Sequence, residues 1–211
     1  SIWENGQYVR SRDMEKVKPA FEDLLHRMQT DYIDLGMIHF IDNAQEFDRV
    51  INGEFMEYVR RLKKDGVIRH IGMSTHNPET AKLAACQGEI EMILFSINPA
   101  FDMLPPVTDL EEYFAERYEE SLSGIAPERE ELYKLCEQNR VGITVMKGYA
   151  GGRLFNPKTS PFGVALTPVQ CLHYALTRPA VASVMAGFDN PQHVYEATAY
   201  ETASEEEKDY A

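Results

Sequence analysis

Residues 31–40 read DYIDLGMIHF, and this stretch decides the fold. It is a short, largely apolar run that predicts a β-strand ending at His39. Immediately before it, from Asp13 to Met28, apolar residues recur at helical spacing behind an aspartate that can cap the helix. A helix that leads directly into a buried strand is the repeating unit of α/β proteins.

The same unit recurs along the whole chain. The predicted helices after the first cover residues 54–64, 78–87, 127–139, 167–177 and 190–199, and the predicted strands cover residues 33–39, 67–73, 91–97, 141–147 and 181–186. Such alternation requires parallel strands joined by right-handed crossovers. Five strands suffice for an open doubly wound sheet and are too few for a closed eight-stranded barrel, so the pattern alone slightly favours the open sheet.

Composition excludes several classes of partner. The 211 residues include 34 Asp and Glu against 21 Lys and Arg, a formal net charge of −13. A surface this acidic repels phosphate backbones and anionic lipids, so neither nucleic acid nor a membrane is an expected partner. The sequence shows no transmembrane run or secretory signal, and we expect a cytoplasmic location. Cys86, Cys136 and Cys171 are far apart and lack CxxC spacing, so no metal site is expected in this chain.

Five blocks of the sequence resemble, in order, the aldo/keto reductases. DYIDLGMIHF is similar to the family's fourth strand, which ends in its active-site histidine, and GVIRHIGMSTHN at 66–77 is similar to its next strand. The later blocks are FSINP at 95–99, GITVMKGYAGGRL at 142–154 and TPVQCLHYALTRPAVASVMAGFDNPQHVYEA at 167–197. No single block is specific, but five in the right order and spacing identify the chain as a member of the family.

The resemblance changes the interpretation of the strand count. It implies an α/β fold of the TIM-type (β/α)8 barrel class, with strands four to eight present, so that residues 1–211 are a partial barrel. The family's catalytic aspartate, tyrosine and lysine are then expected before Ser1. The sequence at residues 145–154 and in the tail at 201–211 also resembles that of a bacterial subgroup of the family, in which an iron–sulfur module follows the barrel. An iron–sulfur cluster is therefore an expectation for a longer protein and not for this chain.

His39 is the one catalytic residue that the resemblance assigns within this chain. Reduction of a carbonyl by NAD(P)H needs a hydride donor, a proton donor and polar groups around the oxygen. In the family a tyrosine donates the proton and the histidine positions the carbonyl. From its place in the sequence alone, the favoured interpretation of His39 is a strand-end histidine bonded to a neighbouring carbonyl group.

Three polar residues at strand ends match family positions that bind the nicotinamide carboxamide. Ser74 matches the serine of a Ser-Asn pair, and Thr75 replaces the asparagine with a side chain of shorter reach. Asn98 matches the residue that completes the contact. Without the resemblance, Ser74 is a strand-exit turn residue and Asn98 is a helix cap before Pro99.

The loop after residues 141–147 is the predicted binding site for the phosphates and for one face of the nicotinamide. Its candidate residues are Lys147, Gly148, Tyr149, Gly151, Gly152 and Arg153. Adjacent glycines let backbone amides approach a pyrophosphate, an arginine can add a charge-assisted bond, and a tyrosine can stack on the nicotinamide. A glycine pair is otherwise typical of a flexible exit loop.

The adenosine end is predicted at Gly187 and at the helix that begins at Asn190 and includes Gln192. A helix start offers free amides and the positive end of the helix dipole to a phosphate. Members of the family that prefer NADP carry lysine or arginine here, whereas residues 187–197 have neither and include Asp189. An acid repels a 2′-phosphate and can bond a 2′-hydroxyl. The cofactor is therefore predicted as NAD or NADP, with a slight preference for NAD.

Residues 100–126 are predicted to be a long loop or lid insertion, whose aromatic residues either wall the substrate site or pack on the barrel. The expected substrate is a small-molecule carbonyl compound. Two hypotheses remain: an enzyme that reduces a carbonyl or oxidises the alcohol, and a truncated or non-catalytic nucleotide-binding barrel fragment. An unrelated parallel α/β protein is less favoured because no GxGxxG turn follows a strand. Alone, the chain is expected to be inactive and to self-associate through open barrel edges.

Overall fold

The computed structural model describes residues 2–104 and 123–210, so most of the insertion predicted at 100–126 lies outside the described residues. The strands are β1 (Ile2–Glu4), β2 (Gln7–Val9), β3 (Ile33–Ile38), β4 (Ile68–Thr75), β5 (Met92–Ser96), β6 (Gly142–Met146) and β7 (Val181–Val184). The helices are α1 (Met14–Met28), α2 (Ala44–Ile51), α3 (Glu54–Lys64), α4 (Pro78–Gln87), α5 (Pro99–Asp102), α6 (Pro127–Asn139), α7 (Pro168–Leu176), α8 (Pro191–Thr198) and α9 (Glu205–Lys208). Two 3-10 segments cover Ala150–Phe155 and Ala199–Glu201.

Strands β3 to β7 form one parallel sheet in chain order, which confirms the predicted alternation. A doubly wound open sheet reverses its strand order at a switch point, whereas an arc of a barrel keeps the chain order. The observed order therefore supports the barrel over the open sheet that the sequence pattern alone had slightly favoured. The numbering of these strands as four to eight of a barrel stays a prediction.

The parallel arrangement places every strand exit at one rim of the sheet. Along that rim follow His39, Ser74, Asn98, Lys147 and Gly187, each at or just beyond the carboxyl end of its strand. The main apolar core lies along the sheet and under α4 and α6. A smaller cluster that includes Phe101, Leu154 and Cys171 lies under the 3-10 segment and α7.

Several elements were missing from the sequence prediction, among them the hairpin β1–β2 and helix α2. The hairpin β1–β2 turns through Asn5 and Gly6, whose φ angles of 51° and 79° are the left-handed values of a two-residue hairpin turn. Helix α2 begins after Asn43, whose side chain accepts a hydrogen bond from the Glu46 amide. Both signals, an Asn-Gly pair and an asparagine cap before an apolar face, were present in the sequence.

A buried ionic cluster lies behind the rim at the exit of β5. Asp102 and Arg129 are both fully buried and form an ion pair at 3.1 Å. Tyr133 and Tyr174 donate their hydroxyl protons to the Asp102 carboxylate at 2.6 and 2.9 Å. The Ala126 amide also donates to the Asp102 carbonyl at 2.6 Å. The cluster therefore joins α5, α6 and α7 and fixes both ends of the long connection.

Strands β3 and β7 are the edges of the sheet, and each pairs with one other described strand. Beyond β7, Met185 and Phe188 are 62% and 43% exposed. Open edges with exposed apolar side chains are surfaces through which chains associate. Self-association through β3 and β7 stays a prediction.

Glu91 should give the chain an acid-sensitive part of its stability. Burial alone would raise its pKa, but hydrogen bonds from Lys63, His70 and the Ile71 amide lower it from 4.5 to about 2. Because the folded pKa lies below the ordinary value, this stabilisation is present above about pH 4.5 and is lost as the pH falls towards 2. The side chain is 38% exposed, so solvent screening reduces the effect.

We expect Glu91→Gln to flatten the loss of stability between pH 5 and about pH 3, as measured by urea unfolding at a series of pH values. Glu137→Gln changes an exposed residue on α6 and is the matched control. Its free energy of unfolding should depend on pH as steeply as that of the wild type. If the free energies of unfolding of Glu91→Gln and the wild type fall equally steeply with pH, the acid-sensitive stability does not come from Glu91.

Candidate active site and nucleotide cleft

The turn that carries His39 is held by two arginines. Arg12 donates to the His39 carbonyl and Arg10 to the Phe40 carbonyl, both at 2.7 Å. Glu46 lies 3.3 Å from each guanidinium and is itself buried. Phe40 adopts a left-handed φ of 57°, and these bonds fix the turn in that conformation.

The electrostatics around His39 favour its neutral form. Although the residue remains exposed to solvent, the neighbouring chain removes part of the water around its ring, which lowers the pKa. Nearby positive charge, including Arg12 and Arg10, lowers the pKa further. A neutral imidazole has one N–H donor, which is the group that a carbonyl oxygen needs for positioning.

Ser74 and Thr75 are both buried and already have protein partners. The Ser74 hydroxyl oxygen accepts a hydrogen bond from the Phe40 amide at 2.7 Å. The Thr75 hydroxyl donates to Asp42 at 2.9 Å and accepts from the Asn77 amide at 3.2 Å. Their predicted contacts with the nicotinamide carboxamide remain proposals.

Asn98 caps a helix, the alternative role that the sequence had suggested. Its side-chain oxygen accepts from the amides of Ala100 and Phe101 at 3.0 and 2.8 Å. Its amide nitrogen donates to the Lys147 carbonyl at 2.9 Å, which links the exits of β5 and β6. The structure thus shows a positioning role, and a nicotinamide contact stays a proposal.

A cleft of about 440 Å³ opens beside the exits of β6 and β7. Seven of its thirteen lining residues were predicted to bind the cofactor: Lys147, Gly148, Tyr149, Gly151, Gly152, Gly187 and Asp189. The lining does not include Arg153, Asn190, Gln192, Ser74, Thr75 or Asn98. Shallow depressions beside Leu25 and beside Arg60 have similar volumes but lie towards the amino ends of the strands.

Six lining residues were not among those predicted from the sequence: Phe155, Pro168, Met185, Ala186, His193 and Glu196. A signal was available for two of these residues. His193 and Glu196 are three positions apart within the predicted helix 190–199, a spacing that places residues on one face of a helix. The prediction that this helix begins at the adenosine end could therefore have indicated them.

The glycine loop leaves its backbone open to a ligand. Gly151 and Gly152 have left-handed φ angles of 66° and 84°, and no atom lies within 4 Å of where a Cβ would be at either position. The Gly152 amide is already used, because it donates to the Tyr149 carbonyl at 2.9 Å. Close approach of a phosphate would therefore depend on the open surface of the loop rather than on that amide.

Tyr149 provides an aromatic wall to the cleft. Its ring lies 5.0 Å from that of Phe155, and its buried hydroxyl has no hydrogen-bond partner among the described residues. Burial raises the pKa of Tyr149 to about 12, with a further contribution from Cys171 and Glu196. A buried hydroxyl with so high a pKa is a poor proton donor at neutral pH.

The far end of the cleft is acidic. Asp189 and Glu196 line it, while Lys147 is the one lysine or arginine among the described lining residues. Burial lowers the pKa of Lys147, and the charge of Asp42 opposes this shift. The Asn190 side chain caps α8 by accepting from the His193 amide at 3.1 Å.

Within residues 2–104 and 123–210, no group of three or more His, Cys, Asp or Glu side chains is placed to hold a metal ion. In the same part of the chain, no helix has the length and apolar character needed to span a membrane.

The unpartnered hydroxyl of Tyr149 leads to a stability prediction. Tyr149→Phe should leave the free energy of unfolding unchanged or raise it, because a buried hydroxyl without a partner costs about 1–3 kcal/mol. Tyr174→Phe, the matched change, removes a bond to Asp102 and should cost about 1.5–3 kcal/mol. Urea unfolding of both variants measures the difference, and equal losses would be inconsistent with an orphaned Tyr149 hydroxyl.

Comparison with known proteins relates this geometry to one family. The uncharacterized oxidoreductase YqkF of Bacillus subtilis is 27% identical over 198 residues, which are 88% of this chain and 60% of the relative. The chain therefore spans 60% of the length of that relative. The aldo-keto reductase YhdN of the same organism is 34% identical over 77 residues, covering 36% of this chain and 22% of YhdN.

A solved structure shares the fold along almost the whole chain. The holo form of the aldo-keto reductase AKR11C1 from Bacillus halodurans superposes with a TM-score of 0.71 and 23% identity, covering 98% of this chain and 67% of that protein. The sequence model of the Aldo/keto reductase family matches residues 4–165. This chain belongs to the aldo/keto reductase family.

Proposed function

We propose that this chain supplies the nucleotide cleft and the carbonyl-positioning histidine of a nicotinamide-dependent reductase acting on a small-molecule carbonyl compound, or on the alcohol in reverse. The observation that carries the proposal is that the cleft and His39 open on the same rim of one parallel sheet. In (β/α) barrels this rim is where active sites form.

The residues of the cleft fit a dinucleotide. A volume of about 440 Å³ lies within the range of small-molecule sites. Tyr149 offers an aromatic face, Gly151 and Gly152 leave backbone uncovered, and no atom lies within 4 Å of a Cβ built on Gly187. We assign the nicotinamide to the side of Tyr149 and the adenosine to the side of Gly187 and Asp189. Arg153, Asn190 and Gln192 would then act from outside the present lining.

The bound nucleotide supplies a hydride to the carbonyl carbon. His39, in its neutral form, donates a hydrogen bond to the carbonyl oxygen and holds it in place. Tyr149 is unsuited to deliver the proton because its pKa is raised to about 12. The family resemblance implies that the proton donor is a tyrosine outside this chain, so we propose activity for a protein that contains that tyrosine rather than for this chain alone.

The names of relatives suggest a class of substrate, and one solved structure contains NADP. DkgB of Escherichia coli O157:H7, 33% identical over 67 residues, is named a methylglyoxal reductase. A solved aldo/keto reductase from Klebsiella pneumoniae, 18% identical, is described in complex with NADP and acetate. We extend only the small-carbonyl class to this protein. An iron–sulfur module in the natural protein and a cytoplasmic location are likewise proposals from the sequence.

The test of function is turnover by the natural protein that contains this chain. We expect it to reduce a small aldehyde or ketone with NADH or NADPH, and His39→Ala to lower kcat while leaving the nucleotide Kd within about twofold, because the cleft lies beyond the exits of other strands. Binding of nucleotide without turnover of any carbonyl would instead favour the non-catalytic barrel.

Asp189 and Glu196 should set the cofactor preference. We expect wild-type protein to bind NADH at least as tightly as NADPH, because a 2′-phosphate would meet two acids. Asp189→Lys should shift the ratio of Kd values towards NADPH by about tenfold, or roughly 1.4 kcal/mol. Isothermal titration calorimetry measures both ligands.

Glu201→Lys makes the same charge change at an exposed residue outside the cleft lining and is the control for net charge. It should leave the ratio unchanged. Tenfold tighter binding of NADPH by the wild type would mean that the adenosine end lies elsewhere.

A further inference from the structure

A second histidine stands at the rim beside His39 and is held by an aspartate. Asp42 follows the exit of β3, and His76 follows the exit of β4. The His76 Nδ1 atom lies 3.0 Å from Asp42 Oδ2, and the two side chains are only 9% and 12% exposed. Asp42 Oδ1 accepts from the His76 amide at 2.7 Å and from the Thr75 hydroxyl at 2.9 Å. Three hydrogen bonds to Asp42 thus join the exit of β3 to the exit of β4.

The partners of Asp42 determine where the proton of His76 lies. Burial raises the pKa of Asp42, but the hydrogen bonds from His76 and Thr75 outweigh burial and lower the pKa below its ordinary value. Asp42 is therefore a carboxylate at neutral pH and can only accept hydrogen bonds. The Nδ1 atom of His76 must carry the proton, so a single tautomer and ring orientation are fixed.

The Asp42–His76 pair is connected to His39 through the ring of Phe40. The Phe40 ring packs edge-on against His76 with centroids 5.3 Å apart, and its centroid lies 6.0 Å from that of the His39 ring. The Arg10 guanidinium lies over the same Phe40 ring, 4.8 Å from its centroid. The Phe40 amide donates to the Ser74 hydroxyl, and the Ile41 amide donates to the Ser74 carbonyl at 3.0 Å. Every residue from 40 to 42 is thereby bonded to, or packed on, the exit of β4.

We infer that Asp42 and His76 form a positioning pair that sets the orientation of the His39 ring for the carbonyl. The inference rests on the proposed reductase function for its kinetic consequence, whereas the coupling between the two histidines stands on geometry alone. The pair acts through Phe40 and the β3 exit turn, so its members are positioning residues. Arg10 and Arg12 hold the backbone of the same turn through its carbonyl groups.

Asp42→Asn is the sharpest single test of this coupling. The asparagine oxygen would keep the bonds to Thr75 and to the His76 amide, so the new NH2 group would face Nδ1 where the carboxylate oxygen had been. Nδ1 would then have to accept, and the proton would move to Nε2. The variant changes the tautomer while conserving shape.

The first measurement is ¹⁵N NMR of the natural protein with labelled histidines, assigned by single His→Gln variants. We expect the Nδ1–H tautomer of His76 in the wild type, the Nε2–H tautomer in Asp42→Asn, and a shift of the His39 ring signals in that variant. His70 is the control, since it pairs with Glu91 at 2.8 Å at the other end of β4 and its signals should not move. Unchanged His39 signals in Asp42→Asn overturn the inference.

The second measurement is steady-state kinetics on the same protein. Asp42→Asn and His76→Phe should lower kcat by about 10- to 100-fold, the cost of a misplaced reacting group, with KM and the nucleotide Kd within about twofold. His76→Asn, whose amide can still donate to Asp42, should recover part of the loss. His70→Gln should retain the wild-type kcat.

The outcomes separate the two proposals. If Asp42→Asn keeps the wild-type kcat, or loses nucleotide affinity and thermal stability together with kcat, the positioning role is wrong and the pair is only structural. If the wild-type protein turns over no carbonyl compound, the proposed function fails before any variant is made. The NMR result then decides by itself whether Asp42 controls His39.

Discussion

The parallel pairing of β3 to β7 is the constraint on which the candidate site depends. Parallel strands leave their exits at one rim, where neighbouring loops must be held in register after the ladder of the sheet ends. In this chain, hydrogen bonds from polar side chains hold these loops in register. Ser74 binds the exit of β3 through the Phe40 amide, and Asn98 binds the exit of β6 through the Lys147 carbonyl. Two residues that family resemblance assigns to the cofactor therefore also set the spacing of the loops around it.

The rim is supported in different ways at β5, in the middle of the sheet, and at β3, at one edge. At β5, the fully buried Asp102 is surrounded by one arginine and two tyrosines from α6 and α7. Burial raises the pKa of Asp102, and Arg129 and the hydroxyl donors oppose that shift. Such a cluster gives little net stability, because the cost of removing its charged groups from water offsets their mutual attraction. Each hydrogen bond to Asp102 is directional, however, and so fixes the position of the helix that carries its donor. At β3, by contrast, Arg10 and Arg12 are 39% and 20% exposed, and the turn they hold carries His39. The turn that carries His39 is thus held by more exposed side chains than the exit of β5.

Local signals explain which parts of the fold could be predicted. The bounds of α3, α4 and α6 follow from sequence because caps, proline and glycine act within one turn of the helix end. The cleft residues after β6 and β7 could be named because a family resemblance supplied their register. The Asp42–His76 pair could not, since its members are 34 positions apart and only the pairing of β3 with β4 brings them together. No periodicity or spacing in the sequence encodes that contact.

Local charge decides how a chain of net charge −13 can bind an anionic nucleotide. At physiological ionic strength, charges further away than about 8 Å are largely screened, so most of the acidic surface has little influence on the cleft. What acts there is the set of lining groups, with Lys147 towards the strand exits and Asp189 and Glu196 at the far end. This distribution of charge would favour a pyrophosphate near Lys147 and an uncharged ribose near Asp189 and Glu196. A preference for NAD in a family that includes NADP-binding members would therefore require differences only among the residues within one screening length of the 2′-position.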